Sequence, residues 1–148
     1  SYMVLPQHLL KNYQKFCGFY STTVSKIQQE VLREFIRGGY FGRHLNKMRG
    51  IYKNKHDFLV SELKKRPWVE NIAGDNAGLH VLVQVDTQMS EEELCERAAE
   101  QGIHLMGISE HYIHKPPVSK PVLLLGYGKP DEKRILEGLN RLEHMILK

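Results

Sequence analysis

The sequence predicts an α+β fold in which long leading helices precede a small mixed sheet with helices packed on one face. Up to about residue 65, apolar residues recur at the spacing of one helix face. Beyond Pro67 they alternate, as in strands that are buried on one side. The second half orders its elements as strand, helix, strand, strand and helix, which is typical of helices layered on a sheet. We therefore predict two parts, residues 1–65 and residues 66–148.

The first part is predicted to be mostly helical. Residues 1–6 have the pattern of a short strand that ends at a proline. A helical pattern with a break near its middle follows over 7–37, and two consecutive glycines end it. A second helix is predicted over 41–65. It is about twice the average helix length of about 11–12 residues, and Pro67 stops it.

The second part carries clear start and stop signals. Ser90 followed by Glu93 has the spacing of a capping box, and Gly102 lies where that helix must end. Asp131 precedes the last helix, where a carboxylate stabilises the positive end of the helix dipole. A polar loop is expected between the last two strands. Strands are predicted over 80–86, 103–106 and 122–127, and helices over 90–101 and from 131 onward.

The amino-acid composition limits the classes of protein to which this chain can belong. The 148 residues are 41% hydrophobic and 26% charged, with no apolar run long enough to cross a membrane. Two cysteines are too few for a disulfide framework, so we expect a cytoplasmic protein. The net charge is +4, but basic residues are interleaved with acidic ones. We therefore expect no direct nucleic-acid contact by these residues and no membrane partner.

Only a weak metal-ligand pattern occurs. His104, His111 and His114 lie near Glu110, and imidazole and carboxylate both bind zinc. The spacing is not H-E-x-x-H, and the segment is predicted to be a loop, so we expect no metal site. Glycine-rich phosphate loops and serine-nucleophile motifs are absent as well. None of the lysines occurs in the apolar setting that a Schiff-base lysine requires.

Four segments, taken in order, resemble the pyridoxal phosphate (PLP)-dependent aminotransferases of fold type I. The first, G-x-x-x-R-H-x-x-x-M-R-x-x-Y, is most similar to the MocR-type regulators of the GntR superfamily. The resemblance covers nearly the whole chain. The matching segments are 39–52, 77–80, 102–112 and 123–142.

The resemblance implies a bacterial transcription regulator that is α/β by descent and ends in an aminotransferase-like small domain. In that family a winged helix-turn-helix binds DNA, and an aminotransferase-like domain senses PLP or an amino compound. The full-length parent is expected to be a homodimer. The implied function of this chain is to close, by a hinge-type movement, over a cofactor or ligand that the missing large domain holds.

The resemblance also implies which functional residues this chain lacks. The family's Schiff-base lysine precedes a strand that is similar to residues 1–6, so it would lie upstream of this chain. We therefore expect no catalytic residue, no bound cofactor and no transamination from the chain alone. We also expect a monomer or a weak self-associate. The family often carries a carboxylate-binding arginine in its closing strand, and Leu124 stands at that position.

Two other interpretations stay open. The chain could be the same piece of a true PLP-dependent aminotransferase, which would lack a DNA-binding domain. Alternatively, it could be a free-standing α+β interaction module. The parent reading frame would distinguish these interpretations.

Overall fold

Five helices and four strands make up the computed structural model, which describes residues 3–20, 24–74, 78–114 and 120–148. The chain forms two compact units, Ser1–Leu45 and Asn46–Lys148. The division at 65/66 that the sequence suggests stays a prediction about domain organisation. No helix within the described residues is long and apolar enough to cross a membrane.

The first unit contains helices α1, Gln7–Cys17, and α2, Lys26–Arg37, and the start of α3, Tyr40–Leu63. The break between α1 and α2 agrees with the sequence prediction. The Oγ atom of Ser25 accepts a hydrogen bond from the Gln28 amide at 3.2 Å and so caps α2. Gly39, with φ of +70°, allows the chain to turn between α2 and α3.

The strand predicted over residues 1–6 is wrong for the residues that the structure describes. Residues 3–6 form no strand, and Met3 and Val4 are exposed. A strand forms where a neighbour takes up its backbone hydrogen bonds. The only sheet of the described chain is built from later segments. Ser1 and Tyr2 lie outside the described residues.

The second unit contains the rest of α3 and a four-stranded sheet with the order β1-β2-β4-β3. All three strand pairs are antiparallel, so the sheet is not mixed as predicted. The elements are β1, Val69–Ala73; β2, His80–Val85; α4, Glu91–Glu100; β3, Met106–Gly107; a 3-10 helix, Ile108–His111; β4, Val122–Gly126; and α5, Glu132–Ile146.

Two further details of the sheet differ from the sequence prediction. Strand β1 was not predicted at all, and the short third strand is Met106–Gly107 instead of 103–106. Strands β2 and β3 both pair with β4, which lies between them, and α4 makes the crossover. The predicted α+β class is confirmed by this arrangement of strands and helices.

The core lies on one face of the sheet. Alternate residues of β2 and β4 point into it, and three helices cover it from the same side. Trp68, just before β1, is 1% exposed and closes the core at one end. Leu136 of α5, in contrast, is 38% exposed. The buried members from strands and helices include Val81, Val83, Val85, Leu123, Leu125, Leu59, Leu63, Leu94, Ala98, Ile135, Leu139 and Leu142.

The predicted helix starts are confirmed at two positions. The Oγ atom of Ser90 accepts a hydrogen bond from the Glu93 amide at 3.1 Å. The Glu93 carboxylate, however, pairs with Arg97 at 2.6 Å, one turn farther along α4. The Asp131 carboxylate caps α5 by accepting from the Arg134 amide at 2.9 Å.

Candidate functional site

The face of the sheet that points away from the helices of the second unit is the candidate site. Strand register aligns four apolar residues across it, one from each strand: Ala73 opposes Leu82, Leu82 opposes Leu124, and Leu124 opposes Met106. We call this the outward face. Leu82 and Leu124 are half-buried and Met106 is exposed. Within the second unit, Leu124 therefore stands at the centre of a partly exposed apolar row.

Polar residues flank this row. Gln84 lies between Asn71 and Val122 in the next row. On the other side His80 opposes Gly126, and a Cβ atom at Gly126 would stand 3.2 Å from the His80 ring. The imidazole therefore fits against this strand because position 126 has no side chain. At Leu124 itself the side chain is aliphatic and donates no hydrogen bond to a ligand.

A hydrogen-bonded junction closes one end of the face. The Tyr127 hydroxyl donates to the Gly78 carbonyl oxygen at 2.7 Å, and the Tyr127 amide donates to the Leu79 carbonyl at 3.0 Å. Lys55 Nζ, from α3, donates to the Gly128 carbonyl oxygen at 3.0 Å. Burial raises the pKa of Tyr127 above its ordinary value. These contacts join two of the segments that carry the family resemblance, although Ala77 lies outside the described residues.

At the opposite edge of the sheet, the carboxylate of Glu91 joins two segments of the chain. Glu91 Oε1 accepts from the Ser109 amide at 2.8 Å, and Oε2 accepts from the Val122 amide at 3.2 Å. The first turn of α4 thereby fixes the 3-10 helix beside β4. Burial raises the pKa of the nearby Cys95 thiol, and the carboxylates of Glu110 and Glu91 raise it further. The protonated thiol is therefore a weak nucleophile.

Sequence reasoning missed Tyr127 and Glu91. Glu91 begins a run of three glutamates in the first turn of α4. Acidic residues in the first turn are favoured by the helix dipole alone, so such a run does not indicate that Glu91 makes a long-range contact. Tyr127 follows an apolar strand, and its sequence context does not distinguish it from other aromatic residues of a core. Its partner lies 49 residues away, which only the fold reveals.

Two lysines have shifted pKa values, both in the direction opposite to that required for Schiff-base chemistry. Hydrogen bonds to Asp86 and Glu70 raise the pKa of Lys120, and a hydrogen bond to Asp57 raises that of Lys53. A lysine that attacks a carbonyl must lose its proton near neutral pH, whereas these ion pairs hold the proton in place. Lys53 and Lys120 therefore do not fit as attachment points for PLP.

The histidines that were weighed as metal ligands do not converge in the described structure. No group of three or more histidine, cysteine or carboxylate side chains placed to hold a metal occurs among residues 3–20, 24–74, 78–114 and 120–148. His111 ends the 3-10 helix, His104 lies before β3, and both are exposed.

Sequence comparison matches nearly the whole chain to transcription regulators. It is 37% identical over 145 residues to the uncharacterised HTH-type transcriptional regulator YdeL of Bacillus subtilis, covering 97% of this chain and 31% of YdeL. The regulator YhdI of the same organism is 33% identical, with 97% and 30% covered. The chain is homologous to HTH-type transcriptional regulators. It matches their C-terminal region and spans less than a third of their length.

The probable rhizopine catabolism regulatory protein MocR of Rhizobium meliloti is a further homologue of this chain. It is 27% identical over 148 residues, which cover 99% of the chain and 29% of MocR. The resemblance to MocR-type regulators that the sequence predicted is thereby confirmed. No protein-family profile matches the chain.

Solved structures show which fold this chain has. LysN, an α-aminoadipate aminotransferase from Thermus thermophilus, matches 96% of the chain with 36% of its own length, at a TM-score of 0.76 and 23% identity. An archaeal alanine:glyoxylate aminotransferase matches 81% of the chain with 30% of its own, at a TM-score of 0.69 and 21% identity. The segment therefore has the fold of an aminotransferase small domain.

Proposed function

We propose that this chain is the closing part of the effector-sensing domain of a bacterial MocR-type regulator. It would move against a larger domain of the same protein and cover a ligand held there. The observation that carries the proposal is the outward face, a partly exposed apolar row around Leu124 on the side of the sheet opposite to the core of the second unit. The match to regulators more than three times as long supports the existence of the larger domain.

We propose that the parent protein binds PLP through that larger domain. PLP supplies an aldehyde that combines reversibly with amines. The aminotransferase fold of the neighbours supports this cofactor. The raised pKa values of Lys53 and Lys120 argue against those two residues as its attachment points. The role left to this chain is to shape and cover the ligand.

Leu124 suggests the class of ligand that this sheet accepts. Where related proteins carry an arginine, the guanidinium can bind a carboxylate through two parallel hydrogen bonds. Leucine provides no such contact, and its neighbours Leu82 and Met106 are equally apolar. We therefore propose that the parent senses PLP itself or an amine, and that it does not hold an α-carboxylate through this strand.

The first unit supports a further part of the proposal. Apolar residues of α1 and α2 are exposed, and no residue of either helix is buried. This surface fits the partner proposed above, the larger domain of the same chain. We also propose that the larger domain binds DNA and forms the homodimer. The parent protein is then a cytoplasmic one. The exposed residues include Leu9, Tyr13, Phe16, Ile27, Val31, Leu32 and Phe35.

The test compares the full-length protein with its Leu124→Arg variant. Each is titrated with amino acids and with the corresponding decarboxylated amines, and the absorbance of the bound cofactor is followed. We expect the unchanged protein to prefer the amines and the arginine variant to gain affinity for amino acids. Leu82→Arg, on the same row, is the matched control and should gain less. If amino acids already bind tightly and arginine adds less than about 1 kcal/mol, the role proposed for Leu124 is wrong.

The same titration separates the regulator from the true aminotransferase. Keto-acid release in repeated turnovers would favour an aminotransferase. A ligand-dependent change in affinity for DNA from the promoter region of its own gene would favour a regulator. A full-length protein that binds neither PLP nor DNA would leave the interaction module as the better explanation.

A further inference from the structure

A small crevice opens beside the bare half of β4, on the helix side of the sheet. Strand β3 pairs with β4 only at Leu123 and Leu124, so it leaves the edge of β4 at Leu125 and Gly126 uncovered. Helix α5 faces this gap. We call the space the α5 crevice, and its volume is about 140 Å³. A cavity of about 150 Å³ lined by apolar groups is large enough to hold benzene.

The walls of the α5 crevice are mostly apolar. Ile103 and Leu105 form one side, and Ile135 and Leu142 line the side formed by α5. Gly138 also lines it, and a Cβ atom there would have no atom within 4 Å. Glycine within a helix is less favourable than alanine. The missing side chain at position 138 leaves this stretch of α5 open to the crevice.

The crevice lining also includes polar residues. Arg134, in the first turn of α5, and His104 line it, and both residues are exposed. The backbone amide of Arg134 donates to Asp131, but its guanidinium forms no ion pair with another described residue. An unpaired guanidinium beside an apolar recess is suited to a ligand with an anionic head and an apolar tail.

We infer that the α5 crevice is a binding site for small monocarboxylates with a short apolar tail. The tail enters between α5 and the segment before β3, and the carboxylate pairs with Arg134. Leu124 is also among the lining residues, but most of the lining comes from α5, from the segment before β3 and from the core side of β4, and the proposed carboxylate contact is Arg134. The inference therefore goes beyond the proposed closure over PLP and stands without it.

The test uses hexanoate with the full-length protein, labelled at isoleucine methyl groups. We expect saturable shifts of the Ile103 and Ile135 methyl signals in two-dimensional NMR spectra. Hexanol, which has the tail without the charge, should bind at least about tenfold more weakly, since a hydrogen bond to a charged group contributes about 1.5–3 kcal/mol. Acetate, which has the charge without the tail, should cause no saturable shift of these methyls.

Variants separate the two halves of the site. Arg134→Gln should weaken hexanoate binding about tenfold and leave hexanol binding unchanged, whereas Lys133→Gln, the neighbouring cation, should change neither. Gly138→Leu should abolish binding of both. If that variant does not fold, Gly138→Ala, which places one methyl group in the crevice, should weaken both. Equal affinity for hexanoate and hexanol, shifts outside the crevice only, or an unaffected Gly138→Ala variant would overturn the inference.

Discussion

The Tyr127 hydroxyl donates a hydrogen bond of 2.7 Å to the carbonyl oxygen of Gly78, 49 residues earlier in the chain. Tyr127 is 3% exposed and follows β4, and Gly78 precedes β2 with φ of +103°. The bond therefore joins the end of one central strand to the start of the other. Both strands carry the outward face, so this contact stabilises the frame of the candidate site.

Removing that hydroxyl should destabilise the fold. Tyr127→Phe leaves the Gly78 carbonyl without this donor, and we expect the free energy of unfolding in urea to fall by about 1–2 kcal/mol. Tyr112→Phe is the matched control, because Tyr112 is exposed, and it should change stability by less than about 0.5 kcal/mol. Equal effects of the two substitutions would contradict the importance of the buried bond.

Tyr127 should also make stability depend on alkaline pH. Burial raises its pKa in the folded state above the unfolded value of about 10. The unfolded chain then loses the phenolic proton first, so the contribution of Tyr127 is complete below about pH 10 and declines as pH rises through the folded pKa. Urea titrations between pH 9 and 11 should show that the free energy of unfolding falls more steeply with pH for the wild-type protein than for Tyr127→Phe. Parallel curves would contradict this assignment.

Glu91 should be more important for stability than an exposed glutamate of the same helix. Its two oxygens accept from the amides of Ser109 and Val122, and alanine would leave both donors unpaired. We expect Glu91→Ala to lower the free energy of unfolding by about 2–3 kcal/mol. Glu91→Gln keeps one acceptor oxygen, so its free energy of unfolding should lie between those of Glu91→Ala and the wild-type protein. Glu96→Ala, an exposed position in α4, is the control.

The ion pair between Arg66 and Glu143 joins the segment after α3 to α5. Their side chains are only 12% and 27% exposed, so solvent screens the pair less than a surface pair. A double-mutant cycle with Arg66→Met and Glu143→Gln should give a coupling of about 1–2 kcal/mol. The exposed pair of Arg33 and Glu30 should give less than about 1 kcal/mol. A smaller coupling for the Arg66 pair than for the exposed pair would contradict this prediction.

Arginine at adjacent positions of β4 should report which face each residue occupies. Leu123 is fully buried in the core, so Leu123→Arg should cost more than about 4 kcal/mol or prevent folding. Leu124 lies half-buried on the outward face, from which arginine can reach solvent, and Leu124→Arg should cost less than about 1.5 kcal/mol. Thermal unfolding checks both, and the reverse order would refute the assignment of the two faces.

Strand β1 shows why one element could not be predicted. Its sequence, Val-Glu-Asn-Ile-Ala, does not alternate, and the pairing with β2 is irregular between Val69 and Asn71. A bulge inserts an extra residue, so apolar side chains on both sides of it can face the same way. Alternation, the main signal for a half-buried strand, is thereby lost.

The sequence by itself determined the elements whose signals are local. The caps at Ser90 and Asp131, the helical spacing of α2 and α3 and the alternation in β2 arise from interactions within a few residues. The resemblance to MocR-type regulators was also readable from short segments in order, and homologues confirm it.

Only the tertiary structure decided which face of β4 is inside and which groups meet across the sheet. Val122–Gly126 is apolar at consecutive positions, so its pattern is compatible with burial of either face. Pairing of Leu124 with Leu82 and Met106, together with three helices on the opposite side, assigns Leu123 to the core and Leu124 to the outward face. The contacts of Glu91 and Tyr127 likewise depend on residues far apart in the chain, and only strand order brings such residues together.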